Sequence, residues 1–489
     1  MRYLNNVHII LITSSLLFLI AFFTVPSDIL DATDVKDYSD TAKFFAGEYN
    51  AKHRAAHSIV YGLLLSPYVK LAESFAIIKL ASAFWLVLLI ISIYYISGKN
   101  RKALLLIIFS PLVWYMSPWL SPVPIVSLLF LWAYFFLNKL EQEEKNKYVI
   151  YSGILIGLAS SLWDSALYFS FIFLCSFFYN RKFKQTWLFA LSIIIGLMPR
   201  LIIDQIFFNF AFYGILKNFL ALISFALFGG VYDDIYSVFN IGGYIIILIF
   251  IPIYFFALYK KEILIKHKTI MIFLTLCLMF ILLNPHIRML IVIAPIMFIL
   301  MAKELDEKKF NRQIMFSIIL ALLVILPFII QFRYETNART LEKAIAYSDH
   351  LYFTRPFTVE IIRGDLDKIS QDYPNSIFVV GNKRDDYKAL AHMYWGERIK
   401  EFISLEDYNL FLQNKTTIAE KRISSNADSR FRTELWFEVG LRKNSNDITD
   451  YKSIQYAISL EENLDLPNFK LIKKYNRLSV FEKISYPKA

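Results

Sequence analysis

The segment HSIVYGLLLSPYVKL, residues 57–71, decides how the whole chain is arranged. It is apolar enough for a helix at a membrane but shorter than a helix that crosses one, which needs about 20 residues. Whether this segment crosses determines on which side every later loop lies.

Around this segment the chain consists mostly of apolar runs. Its 489 residues are 57% hydrophobic and 17% aromatic, and the mean hydropathy is +0.46. Such runs predict a polytopic membrane protein instead of a soluble one. The runs cover residues 7–25, 75–97, 103–118, 122–138, 148–162, 166–179, 187–205, 241–259, 269–283, 288–302 and 313–331.

The basic loops indicate the orientation of these runs. If residues 57–71 do not cross, Arg2 and the Lys- and Arg-containing loops at 99–102, 139–147, 181–184, 260–268 and 303–312 all fall on one side. Basic loops of this kind face the cytoplasm. We therefore predict about eleven spans, a non-crossing helix at 57–71 in or on the outer leaflet, a cytoplasmic N-terminus and an extracytoplasmic C-terminus.

Charge and cysteine content exclude other classes. The net charge of +11 resides largely in these short loops, so no nucleic-acid partner is expected. Cys175 and Cys277 lie inside apolar runs and say nothing about the redox compartment. Residues 7–25 are long for a signal peptide and lack a small-residue cleavage site, which indicates a retained anchor.

After residue 331 the sequence turns polar and shows short alternating patterns. SIFVVG at 376–381, ELWFEVGL at 434–441 and SIQYAISL at 453–460 predict strands, and FKLIKKY with RLSVFEKI predicts a hairpin around Asn476-Arg477. A capped helix is predicted from Ser404. We therefore predict a transmembrane domain, residues 1–331 with a first outer loop at 26–74, and an extracytoplasmic α/β domain, residues 332–489.

The first outer loop contains DATDVKDYSDTAKFFAGEYN, residues 31–50, with five carboxylates. Asp34 and Tyr38 are four residues apart, and Ala42 and Gly47 follow. In this pattern the chain resembles the GT-C superfamily of membrane glycosyltransferases, in the branch of protein O-mannosyltransferases and the lipid-A aminoarabinose transferase. The same resemblance extends in order through HSIVYGLLLSPYVKL, IIKLASAFWLVLL, GILIGLASSLWDSALYFSF, IIIGLMPRLIIDQIFFNFAFYG and LLNPHIRMLIVIAPIMF.

The resemblance implies transfer of a sugar, with inversion, from a polyprenyl phosphate (dolichyl or undecaprenyl) to a hydroxyl of a glycan, glycolipid or protein at the outer face. Such transfer needs a carboxylate that deprotonates the acceptor. By resemblance and by its place close to the first span, Asp34 is the predicted general base, and Asp37 beside Tyr38 is its rival. A solvated acidic helix face is the alternative reading of these carboxylates.

The donor phosphate needs cations near the outer leaflet, and an arginine fork suits phosphate oxygens. Headgroup snorkelling is the alternative for such side chains, Lys79 above all. The candidates for substrate binding are Tyr38, His53, Arg54, His57, Lys79, Asp164, Arg200, His286 and Arg288.

One departure from the family concerns a second acid, which many relatives carry between spans three and four. This chain has SPWLSPVPIVS there, without a carboxylate. Asp164, or Asp233 and Asp234, takes over that role, or the second acid is dispensable; Asp164 as a helix N-cap is the simpler reading. No cofactor is certain. His53 and His57 are four residues apart and could hold a divalent metal on one helix face, although no H-E-x-x-H pattern accompanies them.

Three other functions compete with the glycosyltransferase. A polysaccharide polymerase or ligase would also use lipid-linked sugars. A transporter or flippase would place its polar site near the bilayer midplane, whereas the notable charges here lie at the predicted outer ends of the spans. A non-enzymatic scaffold would leave those charges without a joint purpose.

Overall fold

A computed structural model of the chain provides the coordinates. It describes residues 5–23, 38, 41–42, 44–47, 51–54, 58–71, 75–117, 120–180, 183–216, 218–219, 250–283, 287–330, 333–334, 355–381, 390, 398–413, 438–441, 454–460, 466 and 468–484.

The residues divide into two compact units. The first comprises Met1–Val25, Thr41–Glu48 and Ala55–Leu326, and it holds the apolar helices. The second comprises Pro26–Asp40, Tyr49–Arg54 and Pro327–Ala489. Two short pieces of the predicted first loop therefore belong to the same unit as the polar tail.

Apolar helices build the first unit, and several of them are long enough for a membrane. In the described part of the chain, three helices have the length and composition of a span: Ile77–Ile96, Val123–Glu143 and Phe183–Phe207. Asn6–Ala21, Ser165–Tyr179 and Lys268–Leu282 are apolar but shorter. The protein is thus a multi-pass membrane protein, and the predicted number of about eleven spans stays a prediction.

The following helices lie within the part of the chain that the structure describes. They are α1 Asn6–Phe23, α2 Val60–Leu71, α3 Phe75–Ile96, α4 Arg101–Ile108, α5 Pro111–Met116, α6 Val123–Glu143, α7 Asn146–Leu162, α8 Ser165–Asn180, α9 Phe183–Phe208, α10 Phe256–Leu258 after a π-helical turn Ile251–Phe255, α11 Lys261–Lys266, α12 Lys268–Leu283, α13 Ile287–Glu304 and α14 Glu307–Ile330.

The segment 57–71 forms α2, a helix of 12 residues. At about 1.5 Å per residue it spans about 18 Å, well short of the hydrocarbon core of about 30 Å. It is therefore too short to cross by itself. The close packing of its first turn explains Gly62, where an added Cβ would lie 2.5 Å from Thr41 Cβ.

The apolar run 103–118 is not one helix but two, α4 and α5. Ser110 separates them, and its hydroxyl accepts a hydrogen bond from the Leu112 amide at 3.2 Å. Pro111 at the first position of α5 has no amide hydrogen to continue the preceding helix. The single span expected here is thus interrupted by a local N-cap.

Glycines allow α7 and α9 to pack with their backbones close together. An added Cβ at Gly157 would lie 2.1 Å from the Ile193 carbonyl oxygen and 2.8 Å from Gly196 Cα. Small residues permit such approach between membrane helices. The contact fixes the ends of α7 and α9, which carry the polar side chains described below.

A mixed sheet forms the core of the second unit. Its strands are, in order, β5 Ile399–Ser404, β4 Ser376–Val380, β7 Tyr456–Ser459, β9 Ser479–Lys483 and β8 Phe469–Lys474. β4 pairs in parallel with β5 and β7, whereas β9 is antiparallel to β7 and β8. The elements of this unit are β1 Ala51–Arg54, β2 Arg333–Tyr334, β3 Arg355–Pro356, α15 Phe357–Asp372, β4 Ser376–Val380, β5 Ile399–Ser404, α16 Leu405–Leu412, β6 Glu438–Leu441, β7 Tyr456–Ser459, β8 Phe469–Lys474 and β9 Ser479–Lys483.

The predicted strands and the hairpin are confirmed, as is the helix after Ser404. The alternating patterns placed apolar side chains inward, and Ile377, Val379, Ala457 and Phe481 form the core of the sheet. ELWFEVGL differs: its strand β6 pairs with β1 of the first loop, outside the main sheet.

Two carboxylates of α15 hold the β8–β9 hairpin. Asp365 is fully buried and accepts hydrogen bonds from the turn between the two strands. Asp372 accepts hydrogen bonds from Lys473 Nζ at 2.6 Å and Tyr475 Oη at 2.5 Å, which lower the pKa of this carboxyl below its usual range. The helix and the hairpin thus form one body.

Candidate functional site

The turn between α7 and α8 contains Asp164, which forms an ion pair with a fully buried arginine. Arg200 Nη2 of α9 lies 2.6 Å from Asp164 Oδ1. Arg200 is 0% exposed and Asp164 is 7% exposed. Buried charges persist only when they are paired, so each of these side chains requires the other.

The second oxygen of Asp164 binds the chain just before α2. The Ser58 amide donates to Asp164 Oδ2 at 3.1 Å, and the Ser58 hydroxyl donates to the Ser161 carbonyl. Asp164 thus joins the end of the predicted first outer loop to the turn after α7. It is more than the N-cap considered from the sequence, since its partners lie on other elements.

Arg200 has a second carboxylate one helical turn further along α9. Its Nε atom lies 3.9 Å from Asp204 Oδ2, and its Nη1 atom donates to the Ser160 carbonyl at 3.4 Å. Asp204 is 1% exposed and accepts a hydrogen bond from the Gly214 amide at 2.9 Å. One guanidinium therefore lies between two buried carboxylates.

A second polar contact joins α2 and α3 to the segment before α6. The Tyr61 hydroxyl donates to the Ser121 carbonyl at 2.9 Å, and the Ser121 amide donates to Ser82 Oγ at 3.1 Å. Lys79 lies one turn before Ser82 on the same helix face and is 0% exposed. A buried lysine so near a helix end is costly, which makes it a candidate for function.

Among the predicted site residues whose side chains the structure describes, Asp164 and Arg200 lie together. Asp34, Asp37, His57 and His286 lie outside the described residues, as do Asp233 and Asp234. His53 and Arg54 belong to β1, where the backbone is described. Tyr38 is buried, and Arg288 is partly buried in the first turn of α13.

No metal centre is assembled by the residues that the structure describes, since none of them form a group of three or more His, Cys, Asp or Glu side chains that could hold an ion. The proposed histidine pair of the first loop is not tested by this finding, because His57 is outside those residues. Metal binding at His53 and His57 stays open.

The sequence analysis missed Asp204, Ser58, Tyr61 and the two serines beside it. Asp204 carried a signal, because Arg200 and Asp204 are four residues apart and share one face of a helix. The serine and tyrosine contacts carried none, because they join elements that are distant in sequence.

Comparison with known proteins gives a structural relative. No family model matches the sequence, and no curated protein matches it. The crystal structure of ArnT from Cupriavidus metallidurans in the apo state matches with a TM-score of 0.54 and 12% identity, over 97% of this chain and 99% of that one. The chain has the ArnT fold.

The match to ArnT bears on the predicted resemblance to the lipid-A aminoarabinose transferase branch. The resemblance predicted from the sequence is therefore confirmed at the level of the fold, across nearly the whole chain. The helical membrane part and the C-terminal mixed sheet both belong to this ArnT-like fold.

Proposed function

We propose that the protein is a membrane glycosyltransferase that moves a sugar from a polyprenyl phosphate to an acceptor hydroxyl of a glycan, glycolipid or protein. The observation that carries the proposal is the ArnT-like fold over 97% of the chain. The buried ion pair between Asp164 and Arg200 supports it, because charges at one end of a helical bundle are costly and mark functional sites.

In this proposal Asp34 is the general base, with Asp37 as its rival. The carboxylate takes the proton of the acceptor hydroxyl while that oxygen attacks the anomeric carbon. The bond between this carbon and the phosphate oxygen breaks, and the polyprenyl phosphate leaves with the bonding electrons. Attack from the opposite face inverts the configuration, and a general base typically contributes about 100-fold or more to the rate.

Cations stabilise the charge that develops on the leaving phosphate. Lys79 is one candidate, because a buried charge near the start of α3 is costly. Arg54, His53, His57, His286 and Arg288 remain candidates, and Tyr38 is a candidate for contact with the sugar. Arg200 already faces two carboxylates, so its contribution to phosphate binding is the least supported.

Purified protein incubated with radiolabelled polyprenyl-phosphate sugars and cell-surface glycolipids or glycoproteins tests the proposal. We expect transfer by the wild type and a loss of about 100-fold in Asp34→Asn. Asp367→Asn is the matched control, because Asp367 is exposed on α15 of the tail. It should transfer at the wild-type rate.

The other outcomes separate the competing functions. Full activity in Asp34→Asn and loss in Asp37→Asn would move the base to Asp37, and full activity in both would refute a base in this loop. Transfer of whole polysaccharide chains instead of single sugars would indicate a polymerase or ligase. Movement of the lipid-linked sugar across proteoliposomes without a new glycosidic bond would indicate a flippase.

A further inference from the structure

Three chain segments meet at one arginine in the first unit. Asp164 of the α7–α8 turn binds the Ser58 amide before α2, and Asp204 of α9 binds the Gly214 amide in the segment after α9. Arg200 is the cation common to both carboxylates. We name these five residues, Ser58, Asp164, Arg200, Asp204 and Gly214, the loop anchor.

We propose that Arg200 is a positioning residue, which acts through Asp164 and Asp204 to hold two segments in place: the residues just before α2 and the residues around Gly214 after α9. This inference rests on the proposed function for its effect on sugar transfer. Its structural part does not, because the amide contacts exist without any substrate.

The position of Arg200 favours this role over direct binding of phosphate. The side chain is 0% exposed, and its Nη2 and Nε atoms lie 2.6 Å and 3.9 Å from carboxylate oxygens of Asp164 and Asp204. A phosphate would have to displace a carboxylate from a guanidinium that is already neutralised. The planar fork of arginine can serve two acceptors at once, which the single ammonium of lysine does less well.

Gly214 indicates how closely the segment after α9 approaches the charged groups of the loop anchor. An added Cβ there would lie 2.8 Å from Arg200 Nη2 and 3.0 Å from Asp204 Oδ2. The backbone at Gly214 thus lies directly against Arg200 and Asp204.

The charges predict which change releases the loops. Two buried carboxylates face one guanidinium, so removal of the guanidinium leaves like charges close together without a counter-ion, a costly arrangement. Removal of Asp204 leaves the Asp164–Arg200 pair intact. Arg200→Gln should therefore free both the residues just before α2 and the segment around Gly214. Asp204→Asn should free mainly the segment around Gly214.

The anchor bears on catalysis through the chain order. Ser58 directly follows His57 and is four residues beyond Arg54, so it holds the end of the loop that carries the proposed base and cations. Small displacements of catalytic groups lower the rate strongly. Loss of the anchor should therefore lower kcat more than it raises the KM for the donor.

Amide hydrogen exchange on the full chain in nanodiscs, without substrate, tests the structural part. In Arg200→Gln we expect exchange to rise about 10-fold or more in peptides covering 58–65 and 210–216, with the tail hairpin 469–483 unchanged. Asp204→Asn should affect only 210–216. Arg312→Gln is the matched control, because Arg312 is exposed on α14 and should leave all peptides unchanged.

Kinetics with the donor test the positioning role. We expect Arg200→Gln to lower kcat by about 100-fold and to change the donor KM by less than about 3-fold, with partial recovery in Arg200→Lys. A raised KM with unchanged kcat and unchanged exchange would show a phosphate ligand and overturn the proposal. If Arg200→Gln does not fold, Gly214→Ala replaces it, and unchanged exchange at 58–65 and 210–216 in that variant would also overturn the anchor. Absence of transfer in the wild type would sink the proposed function alone.

Discussion

At the scale of single residues, Asp365 shows how a buried carboxylate can organise a domain. Its two oxygens accept hydrogen bonds from the Asn476 side chain at 3.0 Å and from the Arg477 and Leu478 amides at 2.7 and 3.3 Å. Asp365→Ala would leave these donors, of which the Leu478 amide is buried, without their acceptor, at a cost of about 3 kcal/mol. We expect exchange of the amides at 476–478 in the full chain to rise about 100-fold.

Asp367 provides the matched control for this substitution. It lies two residues further along the same helix but is exposed. Asp367→Ala should therefore change the free energy of opening of the hairpin, as reported by amide exchange, by less than about 0.5 kcal/mol. Equal exchange in the Asp365→Ala and wild-type chains would mean that the hairpin turn is held by the strands alone.

The residue scale is also where sequence reasoning reached its limit. The sequence predicts Asp164 as a substitute acid and Arg200 as a phosphate ligand. It does not indicate a contact between these two residues, which are 36 positions apart. Asp204 was passed over although its spacing from Arg200 is helical. Ser58 could not be found, because its contact to Asp164 uses the backbone amide, which every residue except proline has.

At the scale of elements, the packing of α7 on α9 is governed by glycines. Gly157→Ala would place a methyl group 2.1 Å from the Ile193 carbonyl, which belongs to the backbone of α9 and cannot turn aside. The helices must separate, at a cost of about 2 kcal/mol. We expect the midpoint of thermal unfolding in detergent to fall by about 5 °C.

Gly364→Ala is the control for the change from glycine to alanine itself. Gly364 lies within α15, is exposed and has open space around its Cα, so alanine there should leave the midpoint unchanged or raise it slightly. A Gly157→Ala chain as stable as the wild type would show that α7 and α9 can slide apart without loss.

Elements were predicted best where one periodicity dominates. The two strands of the hairpin and the turn at Asn476-Arg477 followed from the sequence, but the register shift between Leu471 and Lys473 did not. The prediction of one span at 103–118 was wrong because hydropathy does not record the Ser110 cap and Pro111, which divide this run into α4 and α5. β6 was found as a strand, but its pairing with β1 depends on contacts far apart in sequence.

At the scale of the whole molecule, the orientation in the membrane follows from the charges of the loops and can be measured directly. Lys145 and Lys309 are exposed in loops predicted to be cytoplasmic, whereas Lys470 is exposed on β8 of the tail. Lys309 lies in the first turn of α14, and the part of this helix beyond it, up to Ile330, extends about 32 Å, enough to cross a membrane once. Residues 309 and 470 should therefore lie on opposite sides.

Single cysteines test this orientation in a chain that carries Cys175→Ser and Cys277→Ser, which removes both natural thiols. In intact cells a membrane-impermeant maleimide should label Lys470→Cys and should leave Lys145→Cys and Lys309→Cys unlabelled; after permeabilisation all three should react. Because basic loops are retained in the cytoplasm, labelling of Lys145→Cys in intact cells would reverse the predicted topology. The proposed site would then face the cytoplasm, away from a donor in the outer leaflet.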